Sequence, residues 1–334
     1  MMTSLKKRVK RKNKTLPSSQ RRGKTIPVNI IVAATMSAGK TSLINALLGQ
    51  ELLWSANEAA TATITRIHHS TRIDGITSGV SFTADGECHE IIAELSSETL
   101  HQWNAHQQVK YIELNANVAA FTTSVIRPII YDTPGANNSQ DLSHAALLKE
   151  AFDECSAGLI VYVLNATQPA TNDDAQLLSD IRQRMNDNPH YRIIFVLNKV
   201  DELDEEKGER LGTSVVSIEK YLQRLGFINP VIIPAMMQAS LIARKIINRH
   251  AITRVQRNRL RNELARFRAN KHALNDAALI PQSLKNALNM RLRPLAKQRA
   301  NVAQENEQFS DSELRQFTAY SGLQALELYL DNYR

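Results

Sequence analysis

Cysteine is almost missing from this chain: Cys88 and Cys155 are the only two in 334 residues. They match neither a disulfide framework nor a zinc-ligand spacing, so the core must close without staples. Both are expected to be buried or half-buried thiols in a reducing compartment, the cytoplasm by default. Aromatic residues are scarce as well, 5% against 43% hydrophobic overall, which suits a helix-rich α/β core in one large or two ordinary domains. No apolar run approaches 18 residues, and Pro17-Ser18-Ser19 stands where the apolar core of a signal peptide would begin. The expectation is a chain neither secreted nor membrane-spanning.

Acid is lacking in two places. Residues 1–24 carry ten Lys or Arg and no carboxylate, and residues 251–300 carry twelve against Glu263 and Asp276. Since the whole chain is +8, the remainder is acidic, at −12. The two basic appendages, rather than the body, are therefore expected to meet anionic partners such as a membrane surface or nucleic acid. Residues 1–24 lack apolar periodicity and read as a disordered tail.

What is present is organised around Ala34–Ser42. The apolar run Val28-Asn29-Ile30-Ile31-Val32-Ala33 leads into Ala34-Thr35-Met36-Ser37-Ala38-Gly39-Lys40-Thr41-Ser42, and Leu43 to Gly49 follows with helical apolar spacing. Strand, small-residue loop and helix make a P-loop, with Ala34 in the place of the usual first glycine. Backbone N–H groups from Ser37 through Ala38, Gly39, Lys40 and Thr41 would wrap a β-phosphate, with Ser42 completing the motif. Lys40 would reach the β- and γ-phosphates and the Thr41 hydroxyl a Mg²⁺ ion.

The stretch from Leu52 reads as irregular and then as an alternating strand to Ile67. Val80 to Ile92 forms a hairpin turning at Asp85-Gly86, and Ser96 to Gln108 a helix. Beyond it, the strands Val125–Tyr131, Leu159–Leu164, Ile193–Leu197 and Val231–Ile233 alternate with helices near Leu142–Phe152, Asn172–Met185 and Ser214–Leu225, and Pro128 belongs at a strand start or bulge. The fold class is α/β with a P-loop: a mostly parallel sheet with helices on both faces, ligands at the carboxyl ends of the strands, and a helical C-terminal extension. In that extension Ser310-x-x-Glu313 is a capping box.

Three further stretches fall where a nucleotide needs them. Asp132, in Asp132-Thr133-Pro134-Gly135, can hold a Mg²⁺-bound water and the Gly135 N–H can meet a γ-phosphate. Thr61 is preferred over Thr63 as a second hydroxyl on the metal, because Thr63 and Thr65 continue the strand alternation. Asn198-Lys199-Val200-Asp201 selects the base: the carboxylate accepts two N–H bonds from guanine, the Lys199 stem covers the ring, and Asn198 bridges base and P-loop. At about 1.5–3 kcal/mol per charge-assisted bond the pair discriminates by about 3–6 kcal/mol against adenine. His68-His69, and His101 with His106, lack the i, i+4 spacing of a helical zinc pair and read as surface or core residues.

At these residues the chain resembles the dynamin-like GTPases, bacterial ones in particular. The motifs involved are Met36 to Gly49, Asn57-Glu58 to Thr61-Ala62, Asp132 to Gly135, and the 71-residue gap from Thr61 to Asp132. The resemblance covers residues 26–240 and resumes at Ser321-Gly322-Leu323, which implies a basic tail (1–24), a GTPase domain (25–240), a basic helical insertion (241–310) and C-terminal helices closing the domain (311–334). It implies GTP hydrolysis to GDP and phosphate, with Ser37, Lys40 and Thr61 catalytic, Ser37 binding a monovalent cation and orienting the attacking water, and Thr41, Thr61 and Asp132 serving Mg²⁺. It also implies pairing of two G domains across their nucleotides and a peripheral place at the inner face of a membrane. The family's long helical stalk is missing, so a stalk-bearing partner chain is a further expectation. Ala34, Met36 in place of a polar residue, and Pro234-Ala235-Met236-Met237 in the guanine-backing loop depart from the pattern. Two alternatives stay open, an RNA- or ribosome-associated GTPase and a nucleotide-binding adaptor that does not hydrolyse.

Overall fold

The structure, a computed structural model, describes residues 26–53, 63–71, 78–121, 126–133, 142–155, 158–297 and 309–333. Strand β1 (Ile26–Ala34) leads into helix α1 (Lys40–Leu48), followed by β2 (Ile64–His69), β3 (Ser78–Thr83), β4 (Cys88–Ile92), α2 (Ser97–Ala105), β5 (Val109–Ala116) and β6 (Ile126–Asp132). Helix and strand then alternate through α3 (Leu142–Glu154), β7 (Gly158–Asn165), α4 (Asn172–Asp187), β8 (Tyr191–Asn198), α5 (Leu211–Arg224) and β9 (Ile232–Ala235). After β9 come α6 (Met237–Ile247), α7 (Arg254–Ala269), α8 (Ala273–Ala277), α9 (Gln282–Lys297), α10 (Asp311–Tyr320) and α11 (Leu323–Asn332).

The strands form one sheet in the order β4-β3-β5-β2-β6-β1-β7-β8-β9. From β6 to β9 every pairing is parallel, and all eight residues of β7 are buried, as befits a strand covered on both faces. The β2–β6, β3–β5 and β3–β4 pairings are antiparallel. The sheet is thus mostly parallel, as its apolar strands imply. Pro128 is the third residue of β6, and the ladder with β2 starts one residue later, at Ile129. A proline at that point interrupts no bond to β2.

Three local expectations need correction. Strand β5 is absent from the sequence reading although Ile112, Leu114 and Ala116 alternate, buried, with half-buried Tyr111, Glu113 and Asn115. Cys88 is exposed on the edge strand β4, while Cys155 is buried and its thiol is pushed up to about 11 by desolvation. The Ser310–Glu313 capping box does not form: Ser310 makes no side-chain cap, and Glu313 instead accepts two bonds from Arg268 at 2.6 and 2.9 Å. A bidentate guanidinium–carboxylate pair outbids one neutral cap bond. Real capping boxes open α4, at Thr171 and Asp174, and α7, at Thr253 and Gln256.

The helices after β9 share the core of the sheet. Helix α6 runs across the expected 240/241 boundary, with Leu241, Ile242 and Ala243 buried. From α7, Leu260, Leu264 and Phe267 are buried in the same cluster, with Leu288 and Leu292 of α9 and Phe317 of α10. At about 1.5–3 kcal/mol per large apolar side chain, the three residues of α7 hold that helix by at most about 5–9 kcal/mol. Gly322, between α10 and α11, sits at φ +85° with its Cα close to β9: a Cβ there would lie 2.2 Å from the Pro234 carbonyl oxygen. Only glycine allows this approach.

Candidate functional site

The carboxyl ends of β1, β6 and β8 meet at one edge of the sheet, and each ends in a stretch singled out above. Ala34 is the last residue of β1, paired with Val163, and is absent from the positive-φ residues of the described chain. Its methyl is therefore harmless where glycine was expected. The left-handed positions are Ser37 (φ 62°) and Gly39 (φ 93°). A Cβ on Gly39 would fall 2.2 Å from Asn198 Nδ2, so this glycine is required twice over, by φ and by space. Met36 and Ser37 form the exposed tip of the loop, and Ala38 is buried.

Asn198 ties two loops together. Its Nδ2 donates to the Ala38 carbonyl at 2.9 Å, and its Oδ1 accepts from the Met237 N–H at 3.0 Å. The P-loop, the Asn-Lys-x-Asp stretch and the loop after β9 are thereby one hydrogen-bonded unit. Met236 N–H in turn donates to the Ser321 carbonyl at 3.1 Å, which brings in the α10–α11 junction. The β9–α6 junction departs from the pattern the resemblance implies, and its Met236 and Met237 N–H groups make both bonds.

Lys40 opens α1, and its ammonium contacts the Asp132 carboxylate at the end of β6. Thr41, in the same first turn, is half-buried. Asp132 and the Thr41 hydroxyl are hard oxygen donors of the kind Mg²⁺ takes, and the carboxylate already faces a cation. The donor set fits the metal. The Ser42 hydroxyl donates to Gln238 of α6 at 2.8 Å. Thr133 donates to the Val32 carbonyl at 2.9 Å and locks β6 onto β1. Thr61, Gly135 and residues 1–24 lie outside the described residues, while Asn45 of α1 marks where the stretch toward Thr61 begins. Its side chain accepts from the N–H groups of Leu52 and Leu53 and donates to the Leu53 carbonyl.

Lys199 takes a left-handed conformation (φ 65°) and caps the short 3-10 turn Val200–Glu202, with its ammonium 3.6 Å from Glu202. Asp201, expected to read the base, has a side chain only 2% exposed, and its Oδ2 accepts from Arg259 of α7 at 2.6 Å. The same Arg259 nitrogen donates to Glu202 at 2.8 Å, and Arg266 donates to the Asp201 carbonyl. Glu263, on the same face of α7, is pushed up to about 7, first by burial and then by the Asp201 charge. Sequence reasoning missed Arg259, Glu263 and Arg266. Their i, i+4, i+7 spacing marks one helix face, but nothing local says that the face meets residues 201 and 202. Three arginines of α7 thus have partners within the protein, since Arg268, at the surface, also pairs with Glu313.

A P-loop, a metal-type carboxylate and an Asn-Lys-x-Asp loop joined at the carboxyl edge of a mostly parallel sheet define a G domain. The chain belongs to the dynamin family, whose family model matches residues 30–200, just over half of it. Curated relatives include an uncharacterized protein in the xynA 3′ region of Caldicellulosiruptor sp. Rt8B.4, 26% identical over 60% of this chain and 47% of that protein. Dynamin-like protein A of Bacillus subtilis is 23% identical over 91% of this chain and 23% of that protein. The chain therefore spans less than half the length of these relatives. A solved structure of an oligomerised bacterial dynamin pair covers 81% of this chain and 44% of its own, at 15% identity and TM-score 0.46.

Proposed function

We propose that this chain binds GTP with Mg²⁺ and hydrolyses it to GDP and phosphate, and that two G domains pair to complete the site. The observation that carries the reading is Asn198, whose amide joins the loop that would select guanine to the loop that would hold the phosphates. Lys40 would leave Asp132 for the β- and γ-phosphates, and backbone N–H groups from Ser37 to Thr41 would wrap the β-phosphate, with Ser42 completing the motif. Mg²⁺, held through Thr41, Thr61 and Asp132, would supply charge neutralisation across the phosphates. Gly135 would sense the γ-phosphate, and Lys199 would cover the base while Asp201 reads its edge.

Pairing is supported by what the site lacks. Ala136-Asn137-Asn138 follow Gly135 where Ras-like enzymes carry a water-orienting glutamine, and Met36 offers no polar substitute. Met36 and Ser37 are exposed at the tip of the P-loop, open to a second copy. Ser37, with a monovalent cation, would take over the missing role once paired. Among the described residues no helix is long and apolar enough to cross a membrane. Membrane contact would run through the basic tail at an anionic surface or through a stalk-bearing partner chain. Phosphate release from GTP, measured over a hundredfold range of protein concentration, tests the reading. Turnover per molecule should rise with concentration, a dimer should form with GDP and a γ-phosphate mimic, and Ser37→Ala should lose hydrolysis more than binding. Flat specific activity with no nucleotide-dependent dimer would overturn the pairing.

A further inference from the structure

We infer that Arg259 is a latch on the base-reading carboxylate, competing with guanine for Asp201. This rests on the reading that Asp201 receives the guanine edge. Two N–H groups of guanine need the two oxygens of one carboxylate with its outer edge open. Here Oδ2 is bound by a guanidinium at 2.6 Å, and the side chain is almost wholly covered. The latch belongs to a helix that cannot leave cheaply, because Leu260, Leu264 and Phe267 of α7 are buried in the core. Release must therefore happen at the side chain. Arg259 already has a second acceptor, Glu202 Oε1 at 2.8 Å, bound by the same nitrogen, so a small swing toward Glu202 frees Asp201 without leaving the half-buried guanidinium unpaired. Arg266, bonded to the Asp201 carbonyl, keeps the loop seated while this happens.

The equilibrium has two ends, Arg259 on Asp201 and Arg259 on Glu202, and apparent nucleotide affinity scales with the fraction in the second. Opposite variants should move it in opposite directions. Arg259→Gln removes the competitor, and Glu202→Gln takes the charge off the alternative acceptor, leaving a weaker amide oxygen there and shifting Arg259 toward Asp201. If the latched form holds about nine-tenths of the molecules, freeing Asp201 tightens binding about tenfold.

The test is titration of fluorescent GDP and ADP derivatives into the full chain and both variants, with thermal unfolding to establish that each is folded. The expected result is tighter GDP binding in Arg259→Gln by about tenfold, weaker binding in Glu202→Gln, and no gain for ADP in either. Weaker GDP binding in a folded Arg259→Gln would mean that the arginine orients Asp201 rather than blocking it, and would overturn the latch. So would equal affinity in all three chains. Should Arg259→Gln fail to fold, Glu202→Gln decides alone: unchanged or tighter binding refutes the latch. If none of the chains prefers GDP to ADP, the guanine reading itself falls, and that outcome is distinct from a guanine-binding protein without a latch.

Discussion

Replacing Asn198 with alanine removes one side chain and leaves two buried backbone groups without partners. The Ala38 carbonyl loses a donor at 2.9 Å and the Met237 N–H loses an acceptor at 3.0 Å, in residues 1% and 0% exposed. An unpaired buried polar group costs about 1–3 kcal/mol, so the pair costs about 2–6 kcal/mol. For a chain of this size about 2 °C is lost per kcal/mol, which places the fall in melting temperature at roughly 4–12 °C. Asn198→Asp sharpens the test. Its carboxylate still accepts from Met237 but presents an oxygen to the Ala38 oxygen, so it should fare no better than alanine. Differential scanning calorimetry or fluorimetry without added nucleotide measures both. A melting temperature within 1 °C of the parent for Asn198→Ala, or near-parental stability for Asn198→Asp, would refute the claim that this amide holds the two loops together.

Gly322→Ala should destabilise by about 2–4 kcal/mol, since it adds strain at positive φ to a clash with the Pro234 carbonyl, and denaturant unfolding should show the loss. Glu263 carries a pH signature. Its carboxyl is pushed up to about 7 in the fold against an ordinary value near 4.5, so the folded state favours its proton. Its contribution is intact below about pH 4.5 and is lost as pH rises through about 7, by at most about 3 kcal/mol. Glu263→Gln should therefore melt higher than the parent at pH 8 by several degrees and lose that advantage at pH 5; a pH-independent difference would contradict it. Asp201→Asn should weaken GTP binding and favour xanthosine triphosphate, because the amide donates to the xanthine 2-oxo group. Competition binding with the two nucleotides reads the switch directly, and an unchanged GTP affinity would mean that Asp201 does not touch the base.

The sequence alone determined the parts whose logic is local. A β-branched run, Gly39-Lys40-Thr41 and a helical period specify strand, loop and helix by steric and hydrogen-bonding rules acting within a few residues, and the continuous apolar strands specify a mostly parallel, doubly covered sheet. Strand β5 carries just as local a signal, with Ile112, Leu114 and Ala116 alternating between a helix and a stronger strand. Tertiary structure decided what depends on distant partners. Ser310 and Glu313 have the letters of a capping box, yet Arg268, far along the chain, took the glutamate because a bidentate ion pair is the stronger bond. Twelve basic residues between 251 and 300 read as free charge in the sequence, whereas Arg259, Arg266 and Arg268 each bond an acid or carbonyl of the domain itself, Arg259 half-buried and the other two at the surface. No periodicity could place Arg259 against Asp201, because charge complementarity between residues 58 apart becomes physical only when the core has set α7 beside the Asn198–Asp201 stretch.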